Sequence, residues 1–399
     1  MYGYLAADIP GIGGTIKETA EDFLVEEIPL YSPEGAGEHT FALMEKRGIT
    51  TLEAIRRLSR ALGLAEREIG YAGMKDARGV TRQTLSIPRV PPERLLALDL
   101  PGITVLRAER HRNKLKLGHL AGNRFRIMIR GVTEDASCRA AQVLELLKER
   151  GAPNFFGAQR YGVQGNSHLI GRAMLRQDYR EAIDALMGDP AQVRDERWQA
   201  AIAAYRRGDI AESLALLPGH CRTEREVLQR LVKRPDAWEK AFHAVHPRLK
   251  VLYLSAFQSM LFDRVLDARL SALDRVMAGD LAWKHANGAC FLVDDEVSEG
   301  ERARRFEISP TGPLFGCKMK LPAGKPLALE KTILESEGLA TADFDLPGGL
   351  RMEGERRPLR VPVGEPSLQA VDDAMLLEFS LPKGAYATSV LREFMKSEQ

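Results

Sequence analysis

Residues 124–130, RFRIMIR, alternate strictly: Phe125, Ile127 and Ile129 fall on one side, Arg124, Arg126 and Arg130 on the other. A period of two predicts a half-buried strand, here with a basic second face. In TIKETAEDFLVEEIPL, residues 15–30, Phe23 and Val25 alternate with polar neighbours, which predicts another strand. The period becomes helical over 49–63, ITTLEAIRRLSRALG, where Ile55, Leu58 and Leu62 share a face. Thr50 and Glu53 have capping-box spacing, and Gly63 ends the segment. Residues 135–150, DASCRAAQVLELLKER, predict a second helix, stopped by Gly151 and Pro153. From about 178 to 349 the pattern is helix-rich with short interruptions. A long helix is expected over 255–272, with Phe257, Leu261, Val265 and Leu266 on one side. ADFDLPGGLRMEGERRPLRVP, residues 342–362, reads as a turn-rich linker. The tail LLEFSLPKGAYATSVLREFMK returns to strand, turn and helix, as if rejoining the first part of the chain around an insertion.

The 399 residues, 44% hydrophobic, allow two domains or one domain carrying an insertion. No apolar run is long enough to span a bilayer, and MYGYLAADIPGIGG lacks the basic and apolar regions of a signal peptide. Cys138, Cys221, Cys290 and Cys317 are far apart and form no CxxC, as expected of reduced thiols in a cytoplasmic protein. The net charge of +2 is uninformative, but residues 110–130 hold seven Lys or Arg and no acid. That density is either a phosphate footprint or a solvated charged face.

Several stretches could carry chemistry. PGIGGTIKE, residues 10–18, lacks the spacing of a phosphate loop and precedes a strand, so a turn is the better reading. His243 and His246 in HAVH have helical spacing for a shared metal, but no third ligand has clear spacing. In GYAGMKDARGVTRQ, residues 70–83, Asp76 is set among Lys75, Arg78 and Arg82 between two glycines. Cations favour the carboxylate form, and a carboxylate can act as a nucleophile. The same residues also describe a surface ion-pair cluster. PNFFGAQRYG, residues 153–162, places aromatics, an amide pair and an arginine between glycines. Such residues suit either a core or unstacked RNA bases lying on rings.

At this point the chain resembles the D family of tRNA pseudouridine synthases (TruD). IKETAEDFLVEEI, GMKDARGVTRQ, KLKLGHLAGNRFRI, NFFGAQRYG, YLSAFQSMLFDRVL, SPTGPLFG and FSLPKGAYATSVLRE resemble the family's signatures, in the family's order along the whole chain. Gly79 departs from the alanine common there. The resemblance implies an α+β protein: a pseudouridine-synthase catalytic domain, with a mixed, mainly antiparallel β-sheet flanked by helices. It would be formed by 1–179 plus 353–399, with an α/β TRUD domain inserted over 180–352. It further implies Asp76 as nucleophile on a flipped-out uridine, with Phe23, Asn154 and Phe379 at the substrate. Asn154 would also help hold the aspartate, Phe156 would pack there, and Lys17 would be a supporting cation. Arg124, Arg126, Lys114 and Lys116 would hold phosphates.

The implied reaction is isomerisation of a uridine, expected at position 13 of tRNA, to pseudouridine. The aspartate would attack C1′ or C6, and the sequence does not choose between them. The implied partner is tRNA, with no cofactor, metal, nucleotide or membrane, and the protein is expected to be a cytoplasmic monomer. A non-catalytic RNA-binding protein and a uracil-releasing glycosylase are the rival readings. The first would not need the intact GMKDA stretch.

Overall fold

The computed structural model describes every residue except Met1, Asp76 and 397–399. It divides the chain into two compact units, Tyr4–Ala152 with Val361–Gln399, and Pro153–Arg360 with Met1–Gly3. The helix-rich unit therefore has wider bounds than the 180–352 that the resemblance implies for the inserted domain. Its helix Ser167–Leu175 packs against the long helix Pro247–Ala268, where Gly171 leaves no room for a side chain beside the Tyr253 carbonyl.

The first unit is built on a nine-stranded sheet. In spatial order it runs Gly364–Val371, Ala374–Pro382, Leu120–Val132, Phe23–Pro29, Val80–Pro88, His39–Arg47 and Ile103–His111. Gly13–Thr15 adds to Leu120–Val132, and Gly70–Tyr71 adds to Val80–Pro88. Phe23–Pro29 and Val80–Pro88 pair in parallel, and the other pairings along this order are antiparallel. This is the mixed, mainly antiparallel sheet that the resemblance implies.

Leu120–Val132, 13 residues long, is the longest strand of the sheet and extends well beyond the seven alternating residues. Its Phe125 lies opposite both Val25 and Phe379, and Ile127 lies opposite Phe23 and Leu377. Opposed residues share a face. That face is closed by helices Ala136–Arg150 and Ala387–Met395 through Val143, Leu147, Leu391 and Phe394. Helix Thr51–Leu62 covers the same face further along, on Ala42, Met44, Leu85 and Ile87. Its ends follow the local rules: the Thr50 side chain accepts from the Glu53 N–H, and Gly63 closes it at φ 69°.

The other face carries charge, and its sign differs from the expectation. Glu26 lies opposite Arg124 and Arg82, Arg82 opposite Glu45, and Arg126 opposite Glu378. Neighbouring strands thus supply an acid for each base, and the basic stripe of one strand becomes a checkerboard across the sheet.

The second unit contains antiparallel strands in the order Cys290–Leu292, Leu281–Lys284, Ile308–Leu314, Glu355–Pro358. The long helix begins at Pro247, earlier than expected, because proline is suited to the first helical turn. Residues 342–362 are not a linker. Glu355–Pro358 is an edge strand there, and Arg356 is buried, bonded to both oxygens of Glu330 at 2.7 and 2.9 Å and to the Thr311 carbonyl. Arg360 is fully buried as well. Among the described residues, no helix is long and apolar enough to cross a membrane.

Asp22 fastens the start of the Phe23 strand. Its carboxylate accepts two bonds at 3.1 Å and one at 2.7 Å from Arg130, and one from the Thr19 N–H. The hydrogen bond from Arg130 is the largest cause holding the Asp22 carboxyl below its ordinary value near 3.8. A depressed carboxyl stabilises the fold above the unfolded pKa and loses that contribution as pH falls through the folded one. Asp22→Asn should therefore melt at a lower temperature at pH 7, and the two melting curves should converge as the pH drops below 3.8. Calorimetry across pH 2–7 checks this; parallel curves would remove the pair from the acid response.

Candidate active site

The loop that carries residue 76 runs between Gly70–Tyr71 and Val80–Pro88. Asp76 itself lies outside the described residues, but its neighbours are tightly held. Lys75 sends its Nζ to Glu27 Oε2 at 3.2 Å, and both side chains are buried, 7% and 2% exposed. The Lys75 N–H donates to Thr51 Oγ1 at 2.9 Å, and that hydroxyl donates to Gln83 Oε1 at 2.8 Å. Gln83 closes the circuit by donating to the Gly73 carbonyl at 3.3 Å. Glu27 also accepts from the Thr84 N–H. Burial pushes the Glu27 carboxyl up, opposed by the Lys75 ammonium.

On the far side of the loop, Gly79 sits at φ 145° against the Phe23 carbonyl. A Cβ there would stand 2.5 Å from that oxygen. The departure from alanine thus has a local cause, since an L side chain is strained at this φ and has no space. Met74, by contrast, is 69% exposed. The loop is therefore pinned at its roots, with a large apolar side chain in solvent beside position 76.

Phe23 is buried on the helix-covered face, and Lys17 Nζ sits 4.2 Å from its ring centroid. Lys17 itself holds a left-handed backbone at φ 64°, a conformation that is uncommon for a lysine. Phe379 is 1% exposed and stacks on Phe125 at 5.2 Å. Both phenylalanines belong to the core of their unit, so an alanine at either costs packing before any effect on a substrate.

Asn154 and Phe156 lie in the other unit, in a network of their own. The Asn154 amide donates to the Pro358 carbonyl at 2.8 Å and accepts from Arg357 at 2.6 Å. Each end of the amide keeps one further hydrogen-bonding position. The Arg357 guanidinium lies 4.3 Å from the Phe156 ring centroid. Asp263, fully buried, accepts from the Phe156 N–H at 3.0 Å and the Tyr161 hydroxyl at 2.6 Å. Burial and the Asp263 carboxylate push the Tyr161 phenol far above its usual range, which keeps it a donor.

Four of the seven cations in the stretch 110–130 are neutralised by acids from outside it. Arg112, Arg124, Arg126 and Arg130 form ion pairs with Glu34, Glu365, Glu378 and Asp22. Arg110 and Lys114 donate to backbone carbonyls.

The sequence profile of tRNA pseudouridine synthase D (TruD) matches residues 2–394. The chain belongs to the TruD family. It is 69% identical over 393 residues to the tRNA pseudouridine synthase D of Geobacter metallireducens, covering 98% of this chain and 97% of that one. It is 67% identical to the Geobacter sulfurreducens protein of the same name, covering 98% and 96%. A crystal structure from Methanosarcina mazei, assigned provisionally by name to tRNA pseudouridine synthase D, superposes with a TM-score of 0.87 at 27% identity, covering all of this chain and 96% of that one.

Within that TruD frame, several residues were passed over in the sequence. Glu27 and Thr51 lie far in sequence from the GMKDA stretch, and Gln83, seven residues after Asp76, looks like ordinary strand polarity. Asp263 gave the clearest signal, as an acid inside the apolar run SMLFDRVL.

Removing one partner of a buried ion pair leaves an uncompensated charge, at a cost of about 3–5 kcal/mol. Lys75→Met should be destabilised on that scale, and Lys75→Met/Glu27→Gln by distinctly less than the sum of the single changes. Urea unfolding of the four proteins checks this; strict additivity would mean that the two side chains are energetically independent.

Proposed function

We propose that the protein isomerises a uridine of tRNA, at position 13, to pseudouridine, with Asp76 as the nucleophile. The pinned loop is the observation that carries this reading. A solvated turn does not need a buried ion pair and a buried Thr–Gln relay on the residues beside its acid. A catalytic carboxylate does, because positioning within a fraction of an ångström is a large part of rate enhancement. The family places the reaction on tRNA.

The target base leaves its stack to be reached. The Asp76 carboxylate attacks the nucleoside, at C1′ or C6, and the N1–C1′ bond breaks. The uracil turns over, C5 bonds to C1′, and the aspartate is released. The C5 proton departs and N1 gains one, so product and substrate are isomers and no electrons are exchanged. Phe23 and Phe379 back the site as part of its apolar core, with Lys17 holding a positive charge at the ring of Phe23. Asn154 uses its remaining donor and acceptor positions on the substrate, and the Phe156 ring packs beside it. In this reading the helix-rich unit is the family's inserted domain.

The test is positional. Wild-type protein is incubated with a tRNA transcript, and pseudouridine is mapped by carbodiimide adducts that stop reverse transcription. One stop, at position 13, is expected. It should vanish in a transcript with cytidine at that position and in reactions with Asp76→Asn, provided that variant folds. A stop elsewhere would refute the position, and an undiminished stop with Asp76→Asn would refute the nucleophile.

A further inference from the structure

The helix-rich unit carries a basic site that the self-neutralised sheet face does not provide. A surface cavity of about 230 Å³ is lined by Arg230, Lys233, Arg234, Ala237, Lys240 and Ala241. It is formed by the end of helix Arg222–Lys233, the following turn and the short helix Trp238–Phe242. All four cations are exposed. No carboxylate of the described residues lies within ion-pair distance of any of them, unlike Arg112, Arg124, Arg126 and Arg130.

The acids nearest in sequence face away. Asp236 lines a separate cavity with Arg180 and Tyr205, and Glu239 lines a third with Tyr179 and His243. Arg230 and Lys233 sit in the last turn of their helix, where cations complement its dipole, so those two have a structural reason to be there. Arg234 and Lys240 have no such reason. Burial, and after it the Arg230 charge, lower the Lys250 ammonium below its usual value.

We propose that this cavity binds the phosphodiester backbone of the RNA substrate. The inference rests on the reading that the substrate is RNA. Exposed cations on long side chains, with no buried donor among them, suit a backbone held by point charges more than a small enclosed anion. Uncompensated cations also give the most on binding RNA, since no internal ion pair has to be broken first and each neutralised phosphate releases counterions.

The experiment is filter binding of an unmodified tRNA transcript to the full-length protein between 50 and 400 mM NaCl. Lys233→Gln/Arg234→Gln is compared with wild type. Arg304→Gln/Arg305→Gln serves as control, because those arginines are exposed but paired with Glu301 and Glu307. Losing two phosphate contacts should weaken binding about tenfold near 150 mM salt and flatten the log–log salt slope by roughly 1–2. The control should change neither. Circular dichroism melting of all three confirms that the fold is kept, and Lys240→Gln/Arg230→Gln provides a second variant if the first is unstable. Unchanged affinity and slope in the cavity variants overturn the site. The wild-type protein is assayed for modification alongside: wild-type protein that binds tRNA but does not modify it sinks the catalytic reading and leaves the binding result to be judged on its own.

Discussion

The ladder of the Leu120–Val132 strand organises the unit that carries the loop around residue 76. One edge of this strand pairs with Phe23–Pro29, near the chain's start, and the other with Ala374–Pro382, near its end. The register brings Phe23, Phe125 and Phe379 onto one face, which three helices close. A slip of one residue would turn that apolar set to the solvent and the arginines to the core. The parallel pairing of Phe23–Pro29 with Val80–Pro88 then sets the loop before Val80 beside Phe23, where Gly79 leaves no space for a side chain.

On that base the loop is held by polar groups rather than by apolar packing. The Lys75 and Glu27 side chains are buried as a pair, and Thr51 and Gln83 are buried with them. Buried charge is costly unless paired and hydrogen-bonded, and a hydrophobic pair would stabilise the fold as well or better. Keeping the polar solution makes sense if geometry at position 76 is what matters. The Asn154 cluster shows the same preference, with Arg357, Asp263 and Tyr161 fixing a short segment through directional bonds.

Much of the sheet unit was legible in the sequence. The alternation of RFRIMIR and the capped helix after Thr50 are local patterns, and local patterns survive folding. The charge of the sheet's open face was not legible, because the acids that answer Arg124 and Arg126 come from residues 365 and 378. Residues 342–362 were misread for a related reason. Arg356 looks solvated until Glu330, on the helix Gly324–Glu335, is known to receive it. The basic cavity escaped notice because Asp236 and Glu239 dilute RLVKRPDAWEK in sequence, while in space they face other cavities. The proposed chemistry of GMKDARG rests on the family resemblance, since three cations around an acid describe an ion-pair cluster equally well.

The central claim is that the residue held by this loop carries out the reaction. The most direct measurement uses tRNA with tritium at uracil C5 and follows its release to water in a single turnover, with enzyme in excess. The account predicts release by the wild-type protein and none above background by folded Asp76→Asn that still binds the RNA. Release at a wild-type rate by that variant would contradict it.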